Sequence, residues 1–74
     1  MKVLNLNQSV YQATEQYPEL IPIIAGWGFP QIRNTHLRRT IGRRYTLAQA
    51  IRGLNLDKRR IIEKLSQNGF RVVE

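Results

Sequence analysis

Four arginines and one histidine crowd a short stretch of this chain: Asn34-Thr-His-Leu-Arg-Arg-Thr-Ile-Gly-Arg-Arg-Tyr-Thr-Leu47 holds Arg38, Arg39, Arg43, Arg44 and His36. Guanidiniums present planar forks of donors that match phosphate and carboxylate, so the chemistry offered is anion recognition. Gly42 lets the backbone turn closely, and Thr46 starts a helix whose free N–H groups and positive dipole end would reinforce an anion site. Tyr45 stands between arginines and a capped helix, where it either meets a partner or packs on the hinge. The candidate binding set is therefore Arg38, Arg39, Arg43, Arg44, Tyr45 and Thr46, with Asn34 and Gly42 as structural hinge residues. The competing reading is that one arginine pairs with Glu15 or Glu19 or caps a helix while the rest are solvated.

Catalysis has little to stand on. His36 has no carboxylate, serine or cysteine beside it in sequence to make an acid–base pair, and reads as a surface histidine. The chain has no cysteine, one histidine and five carboxylates. That excludes a disulfide and a thiol nucleophile, and leaves little for a metal cage. No catalytic residue, metal ligand or cofactor is assigned. Trp27 and Phe29 read as core bulk in preference to a ligand pocket, because Trp27 continues the spacing of Leu20, Ile23 and Ile24.

With 74 residues the chain suits one domain, 1–74, with a thin core. Its net charge of +7 is lopsided: residues 33–60 carry nine cations against Asp57 alone. Such a balance points to an anionic partner, or simply to solubility. The N-terminus does not read as a signal peptide, and no apolar run reaches the roughly 20 residues of a membrane span. A cytoplasmic protein without a membrane role is expected.

The elements that must position the arginines follow from periodicity and caps. Leu4 and Leu6 alternate with polar residues as in a short strand. Ser9 and Gln12 form a capping box before Val10, Ala13, Thr14 and Tyr17, a helical face that Pro18 ends. Leu20, Ile23, Ile24 and Trp27 give a second helix beginning close to Pro22, with Gly26 or Gly28 able to end it and Phe29-Pro30 forcing an extended exit. Asn34 or Thr35 caps one or two turns anchored by Leu37 and Ile41, closed by Gly42. Thr46 and Gln49 box the next helix, with Leu47, Ala50, Ile51 and Leu54 inward. Asn55 or Asp57 caps the last, which buries Ile61, Ile62 and Leu65 and stops at Gly69. Phe70, Val72 and Val73 suit a strand against Leu4–Leu6. The expected fold is all-α: a compact multihelical domain of four to five short helices, with room for a minimal terminal strand pair.

In order, Tyr17-Pro18-Glu19-Leu20, Gly26 to Phe29, Asn34 through Thr40-Ile41-Gly42-Arg43, Thr46-Leu47-Ala48 and Asn68-Gly69-Phe70 with Val72 resemble a small all-helical family, domain of unknown function 1858. The resemblance covers nearly the whole chain. It implies a multihelical fold and a cytoplasmic bacterial setting, in a family whose activity is not established. Some members are labelled a hybrid-cluster-protein-associated redox disulfide domain for cysteines just after the Gly-Phe pair. Pro30 to Asn34 hold none, so the chain resembles the cysteine-free branch and no disulfide role carries over. Thr35 stands where that branch usually has Pro.

The functional expectation is a non-catalytic interaction or regulatory module whose basic hinge takes an unknown protein or small anion. The alternative is sequence-independent nucleic-acid binding through Arg52, Lys58, Arg59, Arg60 and Lys64, where two short helices and a tight turn superficially look like a helix-turn-helix. A thin core without staples leaves a homodimer open.

Overall fold

The computed structural model describes residues 2–74, and it is helical with its two ends tied together. Strand β1 (Lys2–Asn5) is followed by α1 (Val10–Gln16), α2 (Leu20–Gly26), a 3-10 turn (Pro30–Arg33), α3 (Thr35–Thr40), α4 (Leu47–Gly53), α5 (Lys58–Gln67) and β2 (Phe70–Val73). The two strands pair in parallel, Leu4 opposite Val72. Parallel strands cannot be joined by a tight turn, so the helical body acts as the crossover. Side chains alternate across the pleat: Leu4 and Phe70 are buried while Val3 and Val73 are exposed. Two strands alone would be marginal. Here Tyr17 meets the Phe70 ring edge-on at 5.3 Å, and Lys2 Nζ sits 4.1 Å from that ring's centre.

The apolar core is drawn from every element except α3. Leu4 and Leu6, Val10 and Ala13, Leu20 and Ile24, Ile32, Leu47 and Ile51, and Ile61 and Leu65 are all nearly inaccessible. Pro22 falls in the first turn of α2, where its missing N–H costs no helical bond. Gly28, with φ of 108°, and Gly69, with φ of 87°, end α2 and α5 in the left-handed region. Asn55, at φ 57°, makes the same kind of turn between α4 and α5.

Three local expectations need correction. The exit after α2 is not extended: Phe29 sits at φ −125° and ψ 64°, and Pro30 opens a 3-10 turn, because its fixed φ suits a first helical position and the turn buries Ile32. The Ser9 box is half made: its hydroxyl accepts from Gln12 N at 3.0 Å, without the reciprocal bond that Gln49 gives Thr46. Leu37 and Ile41 are only partly buried, and neither belongs to the buried core. The face that α3 turns inward is displaced by one residue, to Arg38 and Gly42. Asn34 caps α3 as expected, its Oδ1 accepting from His36 N and Leu37 N. Thr35 takes the first helical position, which proline also suits, so the cap does not depend on which residue stands there.

Gly42 has no left-handed φ, so its requirement is steric. A Cβ there would lie 2.3 Å from the Arg38 carbonyl oxygen and 3.2 Å from Tyr11 N. Gly42→Ala is therefore expected to lose about 1–3 kcal/mol, as overpacking against backbone does. Gly26→Ala, whose Cβ would meet nothing within 4 Å, is expected to be neutral or slightly stabilising. Urea midpoints of the two variants check the contrast, and equal midpoints would refute it.

Candidate functional site

The arginine cluster separates into one internal residue and three external ones. Arg38 and Gly42 are one helical turn apart on the side of α3 that faces α1. The glycine lets the backbones approach until Tyr11 N donates to Gly42 O at 3.0 Å. Arg38 is only 9% exposed. Its Nη1 donates to Thr14 Oγ1 at 3.0 Å and lies 3.5 Å from Glu15 Oε2. Thr14 in turn donates to the Val10 carbonyl at 2.9 Å, and Tyr11 Oη donates to Glu15 Oε1 at 2.9 Å. The guanidinium also lies 5.3 Å from the Tyr11 ring centre. Arg38 is thus a packed side chain holding α3 to α1, with its Nη1 engaged by Thr14 and Glu15. Of the acidic partners the sequence offers an arginine, Glu15 or Glu19, Arg38 takes Glu15.

Arg39, Arg43 and Arg44 are exposed, and none forms an ion pair among the described residues. Arg43 is the most ordered by its surroundings: its guanidinium stacks 4.7 Å from the Tyr11 ring centre, a contact worth about 0.5–1 kcal/mol at an exposed site. Arg44 N donates to Ile41 O at 3.0 Å, closing the turn that carries both arginines. Tyr45 is 49% exposed, while its carbonyl accepts from Val10 N at 2.8 Å. A fixed backbone therefore presents a free phenol.

The expected anion cradle at the start of α4 is not there. Thr46 N donates to Gln49 Oε1 at 2.9 Å and Gln49 N to Thr46 Oγ1 at 3.1 Å. Leu47 N donates to Gln8 O and Ala48 N to Leu6 O, both at 3.0 Å. Every N–H that would face an anion already has a protein acceptor, so Thr46 is a cap and a stitch to the N-terminal segment. Spacing alone could reveal the capping box; the two carbonyls from residues 6 and 8 arrive only through folding.

Beside the arginine turn lies a feature the sequence reading missed, a groove of about 270 Å³. Its walls are Phe29, Ile41, Tyr45, Ala50 and Leu54, with Gly53 and the aliphatic part of Gln49 completing it. Phe29 is half-buried here instead of being wholly core, and Ile41 faces the groove because the Arg38–Gly42 side faces α1. The available signal was Ile41, Ala50 and Leu54 on elements flanking an exposed tyrosine.

The rest of the basic half is dispersed. Lys58 pairs with Glu74, and Asp57 Oδ1 caps α5 through Arg59 N and Arg60 N. The side chains of Arg52, Arg59, Arg60 and Lys64 are exposed. His36 is exposed on α3 with no acid–base partner among the described residues. No three His, Cys, Asp or Glu side chains converge among them, and no helix is long and apolar enough to cross a membrane.

Residues 4–62 match the sequence profile of a family described as Domain of unknown function (DUF1858). The chain is similar in structure to the conserved domain protein from Streptococcus pneumoniae TIGR4, with a TM-score of 0.92 at 25% identity, covering 99% of this chain and 92% of that one. No curated protein matches the chain.

Arg38→Ala is expected to lower stability by about 1–3 kcal/mol through lost packing and stranded partners. Glu15→Gln, at the half-exposed end of the pair, should change it by less than about 1 kcal/mol. Arg39→Ala should stay within about 0.5 kcal/mol. Chemical denaturation distinguishes them, and a Glu15→Gln loss as large as that of Arg38→Ala would show that the ion pair, not the packing, holds the joint.

Proposed function

For this chain, which belongs to the Domain of unknown function (DUF1858) family, we propose a non-catalytic interaction or regulatory module that engages an anionic partner through Arg39, Arg43, Arg44 and Tyr45. One observation carries the reading: Arg39 at the end of α3 and Arg43 and Arg44 on the turn after it are exposed without an acidic partner among the described residues, and that turn is held by backbone hydrogen bonds to α1. Donors so fixed lose little entropy when a carboxylate or phosphate arrives. Arg38 has no part in binding and acts as the support beneath the turn. The anion is held by side chains alone, because the α4 amides are occupied.

The second reading, nucleic-acid binding through Arg52, Arg59, Arg60 and Lys64, draws on their shared exposure. It makes a separate demand: affinity for duplex DNA should fall with salt at a log–log slope of about −0.9 per phosphate contacted.

Fluorescence anisotropy with poly-glutamate at low salt tests the first reading. Replacing Arg39, Arg43 and Arg44 together by Ala removes contacts of about 0.5 kcal/mol each, which sum to about a tenfold loss of affinity. Replacing Arg59, Arg60 and Lys64 together removes the same charge and should cost clearly less. Equal losses would mean that net charge, not the hinge, sets the affinity. Preference for duplex DNA that is lost only with the second set would establish the alternative.

A further inference from the structure

Three observations about the groove beside the arginine turn converge on one kind of occupant. First, no acidic residue occurs anywhere between Glu19 and Asp57, and all the groove's walls come from that interval. Within it are Arg33, Arg38, Arg39, Arg43, Arg44 and Arg52, of which only Arg38 has a carboxylate beside it. A ligand reaching the groove therefore meets uncharged, mainly apolar walls, with Arg44 next to Tyr45 and Arg52 next to Gly53 in the chain to attract a carboxylate. Second, Gly53 has no reason within the fold to be glycine. It lies at the end of α4 with a φ outside the left-handed region, and a Cβ there would meet nothing within 4 Å. A helical glycine is unfavourable compared with alanine, yet its effect here is to leave the groove unobstructed. Third, Tyr45 stands half out of the surface on a fixed backbone. Tyrosine offers broad amphipathic contact area at low entropic cost, and such residues recur as binding anchors.

We propose that this groove docks an acidic amphipathic segment of a partner protein, seating one apolar side chain between Tyr45 and Leu54 while carboxylates on either side pair with Arg44 and Arg43. The inference rests on the reading that the arginine turn takes an anionic partner, and adds that the partner is a polypeptide with an apolar anchor. A second copy of this chain is a poor occupant, since its corresponding face has the same sign of charge.

Synthetic peptides test it against the intact protein: one placing leucine between glutamates, one with that leucine replaced by serine, and one with the glutamates replaced by lysine. Anisotropy is expected to show the leucine–glutamate peptide binding about tenfold tighter than the serine version, with the lysine version not binding. Gly53→Leu fills the groove without a backbone clash, and is expected to abolish the preference for leucine while leaving poly-glutamate affinity unchanged. Tyr45→Ala removes a wall instead, and should reduce the same preference even if Gly53→Leu fails to fold. Equal binding of the leucine and serine peptides overturns the groove proposal but leaves the anionic reading standing. Loss of all acidic-peptide binding together with poly-glutamate binding overturns both. Undiminished binding of the lysine peptide, tighter binding to anionic lipid vesicles than to peptide, or a concentration-dependent dimer removed by Gly53→Leu would each assign the groove to another occupant.

Discussion

The structure depends on how closely the segment Leu6–Tyr11 approaches Gly42–Ala48. Four backbone hydrogen bonds join them: Tyr11 N to Gly42 O, Val10 N to Tyr45 O, Leu47 N to Gln8 O and Ala48 N to Leu6 O, at 2.8–3.0 Å. They satisfy N–H groups at the starts of both α1 and α4, donors that a helix cannot satisfy from within. Gly42 suits this contact because a Cβ there would press on Tyr11 N across the joint at 3.2 Å, besides colliding with the Arg38 carbonyl oxygen of its own turn. A thin-cored domain without disulfides thus gains a rigid joint from main-chain geometry, with little demand on apolar volume.

That joint determines what each arginine can do. By turning the Arg38–Gly42 side of α3 towards α1, it forces Arg38 inside, where its Nη1 meets Thr14 and Glu15 and its guanidinium lies by the Tyr11 ring. The opposite consequence falls on Ile41, which is swung to the α4 side and becomes a groove wall. Arg43 rests on the same Tyr11 ring from its own position in the turn. Support, recognition and groove are therefore parts of one arrangement. The buried network leaves no side-chain nitrogen or oxygen without a partner among the described residues, which is the condition under which a buried guanidinium is tolerable.

Much of the fold was legible because its signals are local. Ser9, Asn34, Thr46 and Asp57 cap the helices that follow them, and Gly69 ends α5 in the left-handed region. The terminal strand pair was also legible, since Leu4 and Phe70, Val72 and Val73 have the right alternation and apolar content. The candidate site was less so. Spacing on α3 favoured Leu37 and Ile41 as the inward pair, because arginine ordinarily stays out of a core. A sequence pattern gives the angular period of a helix, but not the rotation at which it docks.

By itself, the sequence determined the helical class, most caps and turns, the apolar end segments able to pair as strands, and the cationic balance of the second half. Only tertiary structure decided that Arg38 is interior, that the α4 amides are already occupied by Leu6 and Gln8 carbonyls, and that Phe29, Ile41, Tyr45, Ala50 and Leu54 enclose a groove. The reason is the range of the interactions. Caps and periodicity act within a few residues, whereas these three outcomes depend on backbone atoms more than 30 positions apart meeting at hydrogen-bond distance.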